Sequence, residues 1–269
     1  MQGNLVVLNT IGFQGVLNYR LSEDGAGLKS TEVESILNST DKNFRPVDAE
    51  IGPDGALYIA DWHNPLIGHM QHNLRDTSRD HMHGRVYRVT YADRPLLKPA
   101  QIAGAPIPQL LDLLKEPENR VRYRAKIELS GRPTKDVLAA LDTWTARLNP
   151  KDPGYEHQMM EALWVHQWHN HVDEKFLARM LKSTDPWARA AATRVLCYWR
   201  DRVQNPLALL KTLAADPHPG VRLEAIRAAS FFRVSEAAEV ALASLAQPQD
   251  RFLSYTLDQT MNTLKPFVR

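Results

Sequence analysis

The sequence predicts an α+β chain in two parts, short antiparallel strands first and stacked helix pairs after them. Three observations predict it. As far as Tyr91, apolar residues fall in short β-type runs separated by Gly/Asp turns. Prolines then cluster between Pro95 and Pro108, and the apolar period beyond them becomes helical. Finally, an acid-Pro…Val-Arg…Ala pattern recurs at 116–125 and 216–225, the mark of an internal helical repeat. The boundaries that follow are a β part over 1–95, a linker over 96–107 and helical repeats over 108–269.

Bulk properties narrow the classes. The 269 residues leave room for one large or two medium domains with a real core. At 43% hydrophobic and 24% charged, the composition is that of a globular protein. A net charge of +2 gives no reason to expect a nucleic-acid partner. The lone Cys197 excludes a disulfide framework, a Cys-based zinc finger and, with no Cys-x-x-Cys-His, c-type haem attachment on this chain. No apolar run reaches about 18 residues, so no membrane span is expected, and no signal-peptide pattern is visible. Met1 opens directly onto Gly3 to Leu8, which reads as the middle of a sheet. The chain is therefore expected to be a fragment.

Taken in order, Leu5 to Leu8 reads as a strand, and Gly15 to Leu21 as another closed by the turn cluster Ser22 to Gly27. Thr31 to Leu37 is a third, its alternation that of a half-exposed strand. Arg45 to Ile51 starts the next unit. The turn Pro53-Asp54-Gly55 leads into Leu57, Tyr58 and Ile59, a short β-type run that ends on Asp61. Strands of this kind suggest meander sheets of a propeller or sandwich. Some 90 residues make only about two four-stranded blades, so the expected fold is a partial β-propeller with an open flank.

Between Trp62 and Gly84 lies a polar insertion holding His63, His69, His72, His81 and His83, half of the ten histidines, with Arg75, Asp76, Arg79 and Asp80. The β pattern returns at Arg85 to Tyr91. So long a loop between strands is usually functional or disordered, and its apolar anchors Trp62, Leu66, Ile67 and Met70 argue for order. The candidate site is Asp61, His63, His69, Asp76, Arg79, His81, His83 and Arg85. Asp61 ends one strand and Arg85 begins another, so the loop must leave and re-enter the sheet at nearby points. Imidazoles suit metal binding or acid–base work near neutral pH, but His81-Met-His83 fixes no third ligand. The plainer reading is that the imidazoles and Arg/Asp pairs pin the loop. Asp61 is the best single polar candidate, although an Asp at a strand end often ties down a turn.

Beyond the prolines, ten helices are expected, at roughly 108–115, 119–130, 134–147, 156–171, 173–183, 186–200, 205–214, 218–232, 235–246 and 250–264. Glu116-Pro-x-x-x-Val-Arg122-x-x-Ala125 recurs as Asp216-Pro-x-x-x-Val-Arg222-x-x-Ala225, with a shorter copy at Asp185-Pro-Trp-Ala-Arg189-x-x-Ala192. The arginines stand 67 and 33 residues apart, two units and then one. A unit of that length is below the usual HEAT/armadillo repeat but fits a compact helix pair, giving an α-solenoid of HEAT-like helix pairs. Acid and Pro should cap and open each helix. Each Arg should reach an acid or carbonyl of the neighbouring repeat, and each Ala should allow close helix contact. His157, His166, His169 and His171, with Trp164 and Trp168, read as packing, as do Trp187 and Cys197-Tyr-Trp199. Arg120, Arg122 and Arg124, flanked by acids, read as a solvated helix face.

The run from Phe44 to Tyr91, strand–acid–insertion–His83-Gly-Arg-Val-Tyr-Arg-Val-Thr-Tyr91, resembles the last part of the β-propeller in large dehydrogenase-like proteins of planctomycetes and verrucomicrobia. These are related to soluble quinoprotein glucose/sorbosone dehydrogenases. In them the propeller is followed by HEAT-type repeats and often by a c-type cytochrome domain. The resemblance implies an exported, periplasmic or cell-surface parent that oxidises a sugar or related alcohol and passes electrons to haem. A PQQ-like quinone and c-type haem would sit in regions outside this chain, whose partners would be the remaining blades and the cytochrome domain. No cofactor, and no metal, is expected on the chain itself, and the isolated fragment should be inactive. The alternative is a non-catalytic propeller/HEAT binding module for glycan or protein partners. A third possibility makes the repeats a spacer between propeller and cytochrome.

Overall fold

The computed structural model describes residues 3–9, 11–66 and 76–268. The chain divides into two compact units, Met1–Glu23 with Leu28–Ala100, and Asp24–Gly27 with Gln101–Arg269.

In the first unit β1 (Leu5–Asn9), β2 (Gly15–Asp24) and β3 (Gly27–Asn38) form one sheet, and β4 (Pro46–Ile51), β5 (Leu57–Asp61) and β6 (Arg85–Val89) form another. Neighbours in each sheet follow sequence order. Each sheet has three strands among the described residues, where a complete blade has four. The expected turn at Ser22 to Gly27 is shorter than the composition suggests. β2 continues to Asp24 and β3 begins at Gly27, four residues before the anticipated start. Gly25 holds φ at +62° at the first position of this two-residue turn, which lets both strands run right up to it. Val16, Phe44, Leu57 and Ile59 form a small core, joined by Val6, Leu8, Ile36 and Ile51 from both sheets.

The turn before β5 follows its residues closely. Gly55 takes φ +76°, Gly52 and Ala56 pair through the backbone, and the Asp54 carboxylate accepts from Tyr58 Oη and Arg88 Nε, both at 3.0 Å. Asp54 thus ties the turn to both β5 and β6. Phe44, just before β4, meets Tyr87 of β6 edge-on at 5.6 Å.

The second unit holds α1 (Ile107–Asp112), α2 (Asn119–Ser130), α3 (Thr134–Ala146), α4 (Tyr155–Trp168), α5 (Glu174–Met180), α6 (Pro186–Trp199), α7 (Pro206–Ala214), α8 (Pro219–Ala229), α9 (Glu236–Leu242) and α10 (Arg251–Leu264). Second helices of successive pairs stack in the order α2, α4, α6, α8, α10, while α1 packs on α3 and α7 on α9. Arg122, Arg189 and Arg222 are each the fourth residue of their helix, and Ala125, Ala192 and Ala225 are fully buried. A larger side chain has no room there. Ala225→Leu is expected to cost roughly 1–3 kcal/mol by overpacking, read as a lower melting temperature; an unchanged one would contradict the assigned packing.

The arginine ladder differs in detail from its sequence pattern. Arg122 Nη1 donates to the carbonyls of Glu116 and Pro117, and Arg222 Nη1 to those of Asp216 and Pro217. The corresponding carbonyl under Arg189 Nη1 is Ser183, at 2.8 Å. The shorter copy is therefore offset by two residues, and its Asp185 aligns with Glu118 and His218, not with Glu116 and Asp216. Glu118 and Asp185 do cap their helices, through Val121 N (2.9 Å) and Trp187 N (2.8 Å) respectively. Asp216 is no cap. It accepts both Arg189 Nε and Nη2 at 3.0 Å, a bidentate pair between repeats. Arg122 reaches Glu161 on α4 and Arg222 reaches the Pro248 carbonyl before α10. Arg122 is consequently buried, contrary to the solvated face expected for the 120–124 run.

Candidate functional site

The site is assembled where β4, β5 and β6 end. Pairing places Asp61 opposite both Pro46 and Arg85, so the acid at the end of the central strand lies under the loop that connects β5 to β6. Asp61 is buried, and its Oδ1 accepts from Arg45 N at 2.7 Å and His63 N at 2.8 Å. The chain leaves the strand through His63, whose φ of +52° is left-handed. The buried Asp61 carboxylate holds that strained residue in place. On the neighbouring strand Arg45 is buried too and donates to the Phe44 and Pro65 carbonyls at 2.8 and 2.9 Å. A guanidinium from the start of β4 thus pins the beginning of the insertion.

Past the undescribed part of the loop, two Asp-led turns bring the chain back. Asp76 accepts from Ser78 N at 2.9 Å and Ser78 Oγ at 2.6 Å. Asp80 accepts from Met82 N at 2.9 Å and from His83 through its backbone (3.1 Å) and Nδ1 (2.9 Å). The Ser78 hydroxyl holds the Asp76 carboxyl below the usual carboxylate range, and the Met82 N–H does so for Asp80. Both remain ionised in neutral solution. His63 is the hub between the two ends of the loop. Its Nδ1 is 3.8 Å from Asp61 Oδ2 and its Nε2 3.9 Å from Asp80 Oδ2, with Arg85 Nη1 2.9 Å from Nε2.

These groups border an open cavity of about 700 Å3, lined by Asp61, Trp62, Asn64, Arg79, Asp80, His81, Met82, His83 and Gly84. Of the anticipated residues, Asp61, Arg79, His81 and His83 line it, while His63 and Arg85 support it from one side. Asp76 is turned into its own loop and is not among the lining groups. His69 lies outside the described residues, as do His72 and Arg75. Arg45, Asn64 and Asp80 were missing from the anticipated set. Strand register decides that Arg45 faces Asp61, and no local signal in the sequence carries it. Asp80 was legible only as a loop charge. Among the described residues no three His, Cys, Asp or Glu side chains converge as a metal site would require.

The second histidine cluster is packing only in part, since His157, His171 and Trp168 are exposed and His157 Nε2 lies 3.3 Å from Glu161 Oε1. His166 is 2% exposed, stacked on His171 at 5.5 Å and near Phe176 at 5.4 Å. Burial pushes its imidazole below the ordinary histidine range, opposed by Asp173 and Asp142 and reinforced by His171 and His169. The unfolded chain protonates this side chain near pH 6.5, and the folded one resists. The unfolded state therefore holds more protons below that pH, and stability falls as pH drops through about 6.5. His166→Leu should flatten the dependence of melting temperature on pH between 7.5 and 5.5; an unaltered slope would remove His166 as its cause. Cys197 and Trp199 are buried between repeats as expected, whereas Trp187 and Tyr198 stand on the surface.

Comparison with known proteins matches residues 9–93 to a domain of unknown function (DUF7133) and residues 174–258 to HEAT repeats. The helical part is accordingly HEAT-like in sequence as well as in stacking. Neither the curated proteins nor the solved structures provide a match. Among the described residues no helix is long and apolar enough to cross a membrane.

Proposed function

We propose that the first unit is a binding module for a hydroxyl-rich ligand, a sugar or glycan, carried on a HEAT-like scaffold. The observation that carries this reading is the composition of the cavity: Trp62, 46% exposed, stands beside the polar side chains of Asn64, Arg79, Asp80, His81 and His83. Vicinal hydroxyls both donate and accept, and an ionised Asp with guanidinium and imidazole donors matches them. An indole offers a flat apolar surface to the C–H face of a sugar ring. Asp61 has a structural part here, since its Oδ1 is engaged by two backbone N–H groups.

The second reading makes this unit the last two blades of a propeller in an exported dehydrogenase-like parent that oxidises sugars, its PQQ-like quinone and haem lying outside the chain. It is favoured by the β6 edge, where Val86 is 73% exposed, as a sheet that continues into further blades would leave it. On this reading the Asp61–His63 pair is the candidate base.

Calorimetric titration of the full chain with glucose, galactose, mannose and their oligomers separates the two. Binding without dye reduction is expected, with Trp62→Ala weakening it about tenfold, the equivalent of one aromatic contact of about 1.4 kcal/mol. Absence of binding to every sugar, or binding indifferent to Trp62→Ala, would refute the module. On the second reading this chain, without the quinone and the remaining blades, neither binds sugar in this way nor reduces dye, and sugar-dependent dye reduction by it would overturn the placement of the quinone outside the chain.

A further inference from the structure

The hydrogen-bond acceptors around the cavity are largely engaged by the protein itself. Asp61 Oδ1 takes the N–H groups of Arg45 and His63, and none of its side chain reaches the surface. Asn64 Oδ1 takes Leu66 N at 3.1 Å. Asp80 Oδ1 takes Met82 N at 2.9 Å and His83 N at 3.1 Å. His63 is buried, and its Nε2 meets Arg85 Nη1 at 2.9 Å. One position stands apart. His83 lines the cavity with 72% of its side chain exposed, and among the described residues nothing bonds to its Nε2.

Asp80 decides where the proton of that ring sits. His83 Nδ1 lies 2.9 Å from Asp80 Oδ2 and 3.1 Å from Oδ1. The carboxylate already accepts two backbone N–H bonds and is ionised in neutral solution, so it has no proton to give. The hydrogen between the two side chains is therefore on Nδ1. A neutral imidazole carries only one such proton, which leaves Nε2 as a bare acceptor. Arg79 and Trp62, which line the same cavity, carry donors alone. A ligand hydroxyl can accept from groups of that kind, but its own proton needs an acceptor.

Taking the cavity as the sugar site proposed above, we infer that His83 Nε2 accepts a hydroxyl proton of the bound sugar, that Asp80 is the positioning residue which keeps this nitrogen bare, and that acid releases the sugar by protonating the ring. Histidine is the side chain that changes charge between about pH 5 and 8. Protonation turns Nε2 into a donor, and the sugar hydroxyl then has donors on every side and no place for its own proton. The other charged and titratable groups at this end of the sheet are Arg79 and His81 in the same loop and Asp61, His63 and Arg85 at the strand ends. Asp41 meets Arg85 at 3.8 Å. His63 and His81 are imidazoles too, so only variants of His83 isolate its share of the pH dependence.

The test pairs calorimetric titration of the full chain with glucose, galactose, mannose and their oligomers, at about pH 7.5 and about pH 5.5, with nitrogen NMR of the histidine rings. In the free protein at the higher pH the spectrum should show His83 protonated at Nδ1, with no ligand required. Wild type should bind about tenfold more weakly at the lower pH, the loss of one hydrogen bond. His83→Gln keeps an acceptor oxygen and should bind with little dependence on pH, while His83→Phe should lose about tenfold at the higher pH. Asp80→Asn keeps an oxygen for the two backbone N–H groups but presents an amide N–H to Nδ1. It should move the ring proton to Nε2 and weaken binding about as much as His83→Phe. The His83 side chain is exposed, so its variants should melt as the parent does. A wild-type ring protonated at Nε2, full affinity in His83→Phe, or the wild-type pH dependence retained in His83→Gln would overturn the assignment of His83 while leaving sugar binding in place. Absence of sugar binding by wild type at the higher pH would overturn the sugar site and this assignment together.

Discussion

Replacing Glu161 by Ala destabilises the helical unit by about 3–5 kcal/mol, the cost of leaving a buried charge without its partner. The substitution is sterically mild. Glu161 is the seventh residue of α4, and the seventh residues of α2, α6 and α8 are the buried alanines 125, 192 and 225. The loss comes from charge. Arg122 and Lys126 are both nearly buried, and Lys126 Nζ has Glu161 as its carboxylate at 2.5 Å. At roughly 2–4 °C per kcal/mol for a unit of this size, the melting temperature should fall by about 10 °C. The double variant Lys126→Met with Glu161→Leu removes both charges, and Arg122 keeps the carbonyls of Glu116 and Pro117. It should regain most of the loss, because an apolar replacement of a buried pair is often neutral. If the double variant melts as low as Glu161→Ala, the damage is to packing and the charge argument fails.

Asp61→Ala has the second large effect, about 2–4 kcal/mol from orphaning the two buried N–H groups of Arg45 and His63 and losing charge-assisted bonds. His63 is held at a left-handed φ by that carboxylate, so the start of the insertion should loosen along with the cavity above it. Hydrogen–deuterium exchange over residues 44–66 should show faster exchange in Asp61→Ala. Asp61→Asn keeps an oxygen for both N–H donors and should show much less. Equal protection in Ala and wild type would mean that the strand pairing alone fixes this end of the sheet. Because the chain has two units, the exchange must be read locally and not from one global melting transition.

The helical half was readable because its signals are local. Capping acids, prolines at first turns and an Arg–Ala spacing of three each act within one or two turns of helix, and the predicted segments fall within a few residues of α1 to α10. Where an acid–Pro pair was read as a cap, the reading slipped. In two copies the cap lies two residues later, and only the carbonyls under Arg122, Arg189 and Arg222 reveal the true alignment. Glu161 was invisible as a structural element for a related reason. A Glu on a helix is ordinarily exposed, and its burial follows from two cations that arrive from a helix 35 and 39 residues away.

The candidate site divides in the same way. The residues determined by themselves that β5 ends on an acid, that a polar loop follows and that β6 resumes at Arg85. Turn chemistry and period-two alternation act over a few neighbouring positions, so a single strand and its turn can be read directly from the chain. Only the tertiary structure decided that Arg45 faces Asp61, that Asp76 closes on Ser78 while Asp80 closes on His83, and that His63 meets Arg85. Those pairings depend on strand register and on how a long loop returns, and register is a property of two strands together. A shift of one residue would turn every side chain to the other face. The local sequence could therefore supply the side chains of the cavity, and the folded sheet alone could choose which of them meet.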